Sequence, residues 1–116
     1  IYVYANKNLV YRMFVNIISN AYTYGKEDGH IYVSLYKDTE VNIVVRDDSI
    51  GISDKDLSHI FERFYRAESS RTGKGTGLGL AMAMEIARWH GGDISVESKE
   101  NKGSCFSIIL PPDPEI

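Results

Sequence analysis

Residues 73–81 read Gly73-Lys74-Gly75-Thr76-Gly77-Leu78-Gly79-Leu80-Ala81, with glycine at every second position from 73 to 79. Glycines free backbone N–H groups to converge on an anion, and a helix that follows adds the positive end of its dipole. A flexible linker shares this composition, but it would not run straight into Leu-Gly-Leu-Ala and an apolar helix. The spacing also excludes the commoner phosphate loops. Leu78, Leu80 and Met82 stand where a G-x-G-x-x-G pattern needs its third glycine, and Gly25-Lys26 and Gly73-Lys74 are followed by Glu27 and Gly75 rather than Ser or Thr. The segment from Ser69 to Thr76 has almost nothing apolar to bury, so it is expected to be a mobile loop without a ligand.

Downstream of this loop a helix is expected from about Leu80 to His90, stopped by Gly91-Gly92. Strands over Asp93–Ser98 and Ser104–Leu110 follow, and Pro111-Pro112 ends the pairing. Upstream, apolar residues at Leu9, Val10, Met13, Phe14, Ile17, Ile18 and Ala21 form one stripe of a helix from Asn8 to about Tyr24, with Gly25 as its stop. Ile31–Lys37 and Val41–Arg46 read as a hairpin around Lys37-Asp38-Thr39-Glu40. Ser53 reads as the cap of a short helix running toward Phe61. Ile1–Tyr4 looks like a short strand. The whole is expected to be α+β: a two-layer sandwich whose mixed, mostly antiparallel sheet is covered on one face by about three helices.

Three further constellations carry chemistry. Asn16 and Asn20 lie one turn apart on the same helix face, at the border of the apolar stripe. Their amide oxygens suit a hard cation such as Mg²⁺ that keeps several waters, although two solvated surface asparagines would look the same. Asp47-Asp48-Ser49-Ile50-Gly51-Ile52 follows a strand directly: a carboxylate there can accept from an exocyclic amine, and Gly51 lets a flat ring approach the backbone; an acidic turn is the plainer alternative. In Ile60-Phe61-Glu62-Arg63-Phe64-Tyr65-Arg66 the aromatics suit a core, while the arginines suit forked contacts to phosphate oxygens.

The chain has 116 residues, enough for one domain over 1–116, with net charge -3, 43% hydrophobic and 25% charged residues. That charge gives no reason to expect nucleic acid as partner. A single cysteine, Cys105, excludes an internal disulfide. Apolar runs reach only four to six residues, far short of the roughly 20 of a membrane span. The chain opens on Ile1 without an initiator Met or signal peptide, and reads as a piece of a longer protein.

In their order along the chain, these four constellations resemble the catalytic domain of sensor histidine kinases, part of the ATP-binding superfamily shared with gyrase, heat-shock chaperones and mismatch-repair ATPases. Asn16-Ile17-Ile18-Ser19-Asn20-Ala21 is similar to the N box. Asp47–Ile52 is similar to the D-x-G-x-G adenine box, Ile60–Arg66 to the F box, and Gly75–Ala81 to the G-x-G-x-G motif of a flexible ATP lid. His90-Gly91-Gly92 and Gly103-Ser104-Cys105-Phe106, ending at Leu110-Pro111, resemble the closing segment. The resemblance spans nearly the whole chain and implies ATP and Mg²⁺ as cofactors. It implies Asn20 as main Mg²⁺ ligand with Asn16 beside it at the phosphates, Tyr24 stacked on adenine, Asp47 accepting from the adenine amino group, and Gly51 and Ile52 lining the ring. Phe64 would belong to the nucleotide site. Arg66, Arg71 and Lys74 would face the triphosphate, with Asn16 and Arg66 acting in transfer, and Gly75, Thr76, Gly77, Leu78 and Gly79 would form the lid and its hinge. Thr23 stands where many members have Lys, Asp48-Ser49 replaces the usual Asn-Gly, and Cys105 stands where Thr is common, which bears on a polar contact behind adenine.

The same resemblance discriminates a kinase from an ATP-hydrolysing switch. Relatives that hydrolyse ATP carry Glu at position 16 as general base, and Asn16 cannot take a proton. His30, His59 and His90 are the only histidines, and none sits in a recognisable phosphoacceptor sequence. The acceptor is therefore expected on dimerising helices missing here, with a response regulator downstream, the isolated domain monomeric and the full-length kinase a homodimer. The domain would be cytoplasmic within a membrane sensor. A hydrolysing conformational switch, or a degenerate module that binds nucleotide only, is the alternative.

Overall fold

A computed structural model describes residues 1–23, 28–48, 50–65 and 78–114, with the backbone alone at Thr23. The first helix, α1, spans Lys7–Thr23. It begins one residue earlier than the apolar stripe requires because Asn6 caps it: the Asn6 Oδ1 accepts from the Leu9 N–H at 3.0 Å, as a cap side chain does for the third N–H of a helix. Met13, Ile17 and Ala21 on its inner face are buried.

A hairpin follows, β1 (Ile31–Lys37) and β2 (Val41–Asp47), antiparallel with Val33 opposite Val45. After a one-turn helix α2 (Asp54–Leu57) and a helix α3 (Gly79–Trp89) come β3 (Asp93–Lys99) and β4 (Gly103–Leu110). The strand order is β1-β2-β4-β3, so β4 is inserted between β2 and β3, and every pairing among the described residues is antiparallel. Period-2 alternation turns Val41, Ile43, Val45 and Asp47 of β2, and Ser104, Phe106, Ile108 and Leu110 of β4, to one buried face. Onto this face pack α1, over β2, and α3, over β3 and β4, the two helices lying against each other. Phe106 and Ile108 at its centre are fully buried. The edge strand β1 is exposed along its whole length, including Ile31, Val33 and Leu35, which share the helix-bearing face.

Two expectations differ from the structure. Ile1–Tyr4 joins no ladder; the Tyr2 carbonyl instead accepts from the Asp113 N–H at 2.8 Å. The helix capped by Ser53 ends at Leu57 rather than near Phe61. From there the chain tightens: the N–H groups of His59, Glu62 and Tyr65 each bond the carbonyl three residues back, at 2.9, 2.9 and 3.3 Å. The tighter winding drops Ile60 into the core and sets the Phe61 ring edge-on to Phe106, 6.4 Å between centroids.

Candidate nucleotide site

The end of β2 places Asp47 on the helix-bearing face, where the residue is only 5% exposed. Its register partner is Ser104, and the Ser104 N–H donates to Asp47 Oδ1 at 3.2 Å. The carboxylate is thus aimed by β4, and its surroundings belong to the β3–β4 hairpin. Ser98 Oγ lies 2.7 Å from Ser104 Oγ and donates to the Gly103 carbonyl at 2.9 Å. The same Ser98 Oγ accepts from the Ile52 N–H at 2.8 Å. Further out, the Asn101 N–H donates to the Ile50 carbonyl at 2.6 Å. The 47–52 turn and the hairpin end are therefore stapled at three levels. A cleft of about 530 Å³ opens here, lined by Asp47, Leu57, Val96, Ser98, Gly103 and Ser104, and completed by Arg46, Glu97, Lys99, Lys102 and Cys105. Its size suits a drug-sized ligand.

Two glycines make this stapling sterically feasible. At Gly103, with φ +92°, a Cβ would lie 2.2 Å from the Asp47 carbonyl oxygen; at Gly51, with φ +75°, it would lie 2.0 Å from that of Lys99. The need for glycine at 51 thus has a cause inside the fold: the backbone it approaches is that of Lys99, whatever else the turn receives. Ile52 beside it is buried.

Sequence reasoning missed Ser98 and Ser104. Cys105 alternates to the opposite face of β4 from Asp47's partner, so the hydroxyl beside Asp47 is that of Ser104 and the Cys-for-Thr difference does not touch it. The signal available was Asn101-Lys102-Gly103: Asn101 sits at φ +65° and Gly103 at +92°, the turn residues that set the register of β4.

Asp48 also has a partner of its own. The His30 N–H donates to Asp48 Oδ1 at 2.7 Å, and the His30 Nδ1 lies 3.1 Å from Oδ2. The backbone N–H first, and the ring second, hold the Asp48 carboxyl below its ordinary value.

At the other end of the site stand the asparagines. Asn16 and Asn20 are both half-buried at the edge of α1. A Cβ at Gly79, the first residue of α3, would lie 3.9 Å from the Asn16 Cβ, Cγ and Oδ1. The structure therefore brings Asn16 to the N-terminus of an eleven-residue helix, where backbone N–H groups favour anions. Leu78 immediately precedes that helix. Phe64 is 69% exposed, in a left-handed backbone conformation of φ +67°. Tyr24, Arg66, Arg71, Lys74, Gly75, Thr76 and Gly77 lie outside the described residues.

The three histidines are all engaged. His90 is built into the frame: its Nε2 accepts from the Asn6 N–H at 3.0 Å and its Nδ1 donates to the Ile86 carbonyl at 2.7 Å, tying the start of α1 to the end of α3. His30 pairs with Asp48 and His59 with Glu62. Among the described residues no group of three or more His, Cys, Asp or Glu side chains is placed to hold a metal, and no helix is long and apolar enough to cross a membrane.

Residues 5–114 match the family described as Histidine kinase-, DNA gyrase B-, and HSP90-like ATPase. The sensor histidine kinase WalK of Bacillus subtilis is 42% identical over 116 residues, covering 96% of this chain and 19% of WalK. The sensor histidine kinase RppB of Synechocystis is 42% identical over 114 residues, covering 96% of this chain and 25% of RppB. Among solved structures, the mycobacterial sensor histidine kinase MprB superposes with a TM-score of 0.86 at 30% identity, over 97% of this chain and 78% of that one. The nucleotide-free catalytic domain of the histidine kinase ThkA superposes with a TM-score of 0.80 at 30% identity, over 97% of this chain and 72% of that one. The chain spans a quarter or less of the length of these two curated relatives. By motif order, by α+β architecture and by these matches, the chain belongs to the histidine kinase-, DNA gyrase B- and HSP90-like ATPase family.

Proposed function

We propose that this chain binds Mg-ATP and passes the γ-phosphate to a histidine on a phosphoacceptor segment outside residues 1–116, as the catalytic part of a two-component sensor kinase. The observation that carries the reading is the placement of Asn16. It stands beside the N-terminus of α3, where backbone N–H groups favour anions, and its amide, unlike a carboxylate, cannot deprotonate water. The phosphate is thereby kept for a better nucleophile.

The residues divide the work between the two ends. Asp47 accepts from the adenine amino group, fixed by the Ser104 N–H on its other side. Gly51, Ile52 and Tyr24 line the ring, and Ser104 and Ser98 supply the polar floor. Asn16 and Asn20 orient the phosphates together with α3, and Arg66, Arg71 and Lys74 neutralise their charge, with 75–79 closing over them. Mg²⁺ fits the two amide oxygens, and with no acidic cluster among the described residues most of the countercharge comes from the triphosphate. Bound there, Mg²⁺ would be held by the Asn16 and Asn20 amide oxygens and would offset the charge that develops on transfer. The response regulator, the dimer and the membrane sensor follow from the same reading.

The test is nucleotide discrimination. A charge-assisted hydrogen bond contributes roughly 1.5–3 kcal/mol, so Asp47→Ala should weaken ATP by about ten-fold to over a hundred-fold. Guanine presents a carbonyl where adenine presents an amine, so the parent should prefer ATP to GTP. Equal affinity for ATP and GTP, or an unaffected Asp47→Ala, places the adenine pocket elsewhere.

A further inference from the structure

The edge strand β1 lacks the devices that keep a free strand from pairing. Its register with β2 runs unbroken from Ile31 to Lys37, so no bulge twists it away. It holds no Pro, and Lys37 at its end is its only charge. Ile31, Val33 and Leu35 are 40%, 57% and 57% exposed on the helix-bearing face. The opposite edge, β3, carries Asp93, Glu97 and Lys99, side chains that discourage pairing.

A helix flank beside β1 is equally bare. Tyr11, Val15, Ile18 and Tyr22 of α1 are all exposed, and their steps of four, three and four residues make them one stripe. At 3.6 residues per turn that stripe lies on the far side of Met13 and Ile17 from Asn16 and Asn20. Asn16 stands against Gly79, on the side of α1 that meets α3. With α1 over β2 and α3 over β3 and β4, the bare stripe is turned toward the β1 side of the sheet.

The backbone of β1 says what it can pair with. At one end of the hairpin the Asp38 N–H donates to the Glu40 carbonyl at 3.0 Å; at the other the Asp48 N–H donates to the His30 carbonyl at 3.3 Å. Both ends are thus hydrogen-bonded pairs, and such pairs alternate along an antiparallel ladder. The even-numbered residues of β1 bond to β2, and Ile31, Val33, Leu35 and Lys37 turn their N–H and C=O groups outward. This outward row is complementary to itself. Run antiparallel against a second copy with Ser34 opposite Ser34, Ile31 meets Lys37, Val33 meets Leu35 and Tyr32 meets Tyr36. Every outward group then finds a partner, and within the strand no two charges of like sign meet.

We infer that β1 pairs with β1 of a second copy of this chain, joining the two sheets across a two-fold axis at Ser34. That axis is perpendicular to the sheet, so both helix layers lie on one side. The two copies of β2 come three strand spacings apart, about 14 Å, and the α1 helices above them face each other across Ile31, Val33 and Leu35. Direct helix packing needs about 8–10 Å; the long side chains of Tyr11 and Tyr22 fill the remainder. Strand pairing by itself is a small interface, and the two helix flanks enlarge it with apolar surface. Because the contact is isologous, assembly closes at two copies. None of these residues lines the nucleotide cleft, so the dimer stands or falls apart from the nucleotide reading, and it departs from the monomer that the resemblance implies.

Sedimentation equilibrium on the chain, over a concentration series up to about 1 mM, reads the assembly. The expected result is a mass that rises to twice the chain mass and stops there. Proline then tests the direction of the backbone groups. Val33→Pro removes an outward N–H, which an edge strand tolerates, so it should remain folded by circular dichroism and be monomeric throughout. Ser34→Pro removes a bond to β2 and should lower the unfolding temperature of the chain itself. Cysteine tests the register in a Cys105→Ser background. Ser34→Cys places two thiols in a non-hydrogen-bonded pair about 4.5 Å apart between Cα atoms, within disulfide reach, and should cross-link to a dimer on mild oxidation. Tyr32→Cys, four residues from its own copy and roughly 13 Å away, should not.

A chain that stays monomeric at about 1 mM overturns the proposal and gives this face to a different partner. A Val33→Pro variant that still dimerises overturns the strand pairing, and one that unfolds as readily as Ser34→Pro overturns the outward row. Cross-linking through Tyr32→Cys but not Ser34→Cys overturns the two-fold at Ser34.

Discussion

Replacing Gly103 with alanine isolates the device that aims Asp47. The added Cβ would lie 2.2 Å from the Asp47 carbonyl oxygen and 3.1 Å from its carbonyl carbon and the Asp48 Cα. All three atoms are backbone, so no rotamer relieves the clash, and an ordinary contact requires β2 and β4 to part by about 1 Å. The residue must also keep φ +92°, a strained value for alanine that costs roughly 1–3 kcal/mol. Parting the strands stretches the 3.2 Å bond from the Ser104 N–H to Asp47 Oδ1; a hydrogen bond to a charged group contributes about 1.5–3 kcal/mol. Together these give about 3–5 kcal/mol of destabilisation, a large fraction of a domain's total stability. Chemical denaturation with and without ATP reads both consequences. Gly103→Ala should unfold at markedly lower denaturant, and the folded fraction should bind ATP more weakly, because its adenine acceptor has moved. A variant as stable as the parent with unchanged ATP affinity would show that the close approach of Gly103 to Asp47 is not what positions the carboxylate.

Further outcomes follow from the same geometry. Phe106→Ala empties the centre of the sheet face, where the ring is fully buried, and should destabilise by about 3–5 kcal/mol in the same denaturation assay. Asp48→Asn restores the residue usual in the family and keeps an oxygen for the His30 N–H, so ATP affinity should change little. The Asp48 carboxyl is held below its ordinary value by His30. It therefore stabilises the fold above the unfolded-state value of about 3.9, and that contribution is lost as pH falls through the folded value. Any stability gap between parent and Asp48→Asn should accordingly vanish in acid, and a gap that widens there contradicts the pairing. Calorimetry should find Mg²⁺ binding appreciably only with nucleotide present; tight binding to the nucleotide-free chain would contradict a site made of two amides.

Much of this fold is legible in the sequence because its elements are strongly periodic. The stripe Met13, Ile17, Ala21 and the alternation Val41, Ile43, Val45 each bury the residues their period predicts. The one-turn length of α2 was not legible, because nothing in Lys55-Asp56-Leu57 stops a helix; tertiary pull on Ile60 and Phe61 does. Asp47 was readable from its motif, whereas its supports were not. Ser98, Ser104 and Gly103 are ordinary strand and turn residues until the β2–β4 register sets them beside it. A shift of one residue separates Ser104 from Cys105, and a sheet converts that shift into opposite faces. The exposure of Phe64 was likewise hidden: its neighbours Tyr65 and Arg63 bond Asp56 and Glu85, 9 and 22 residues away in sequence.

Labelling with γ-phosphate-labelled ATP tests the central claim most directly. The chain is incubated alone and with the kinase's own histidine-bearing segment, and label on protein is compared with free phosphate released. The account predicts no stable label on the chain alone, little free phosphate, and acid-labile label on the supplied segment at its histidine. Label on His30, His59 or His90 of the lone chain, or rapid phosphate release without the segment, would contradict it.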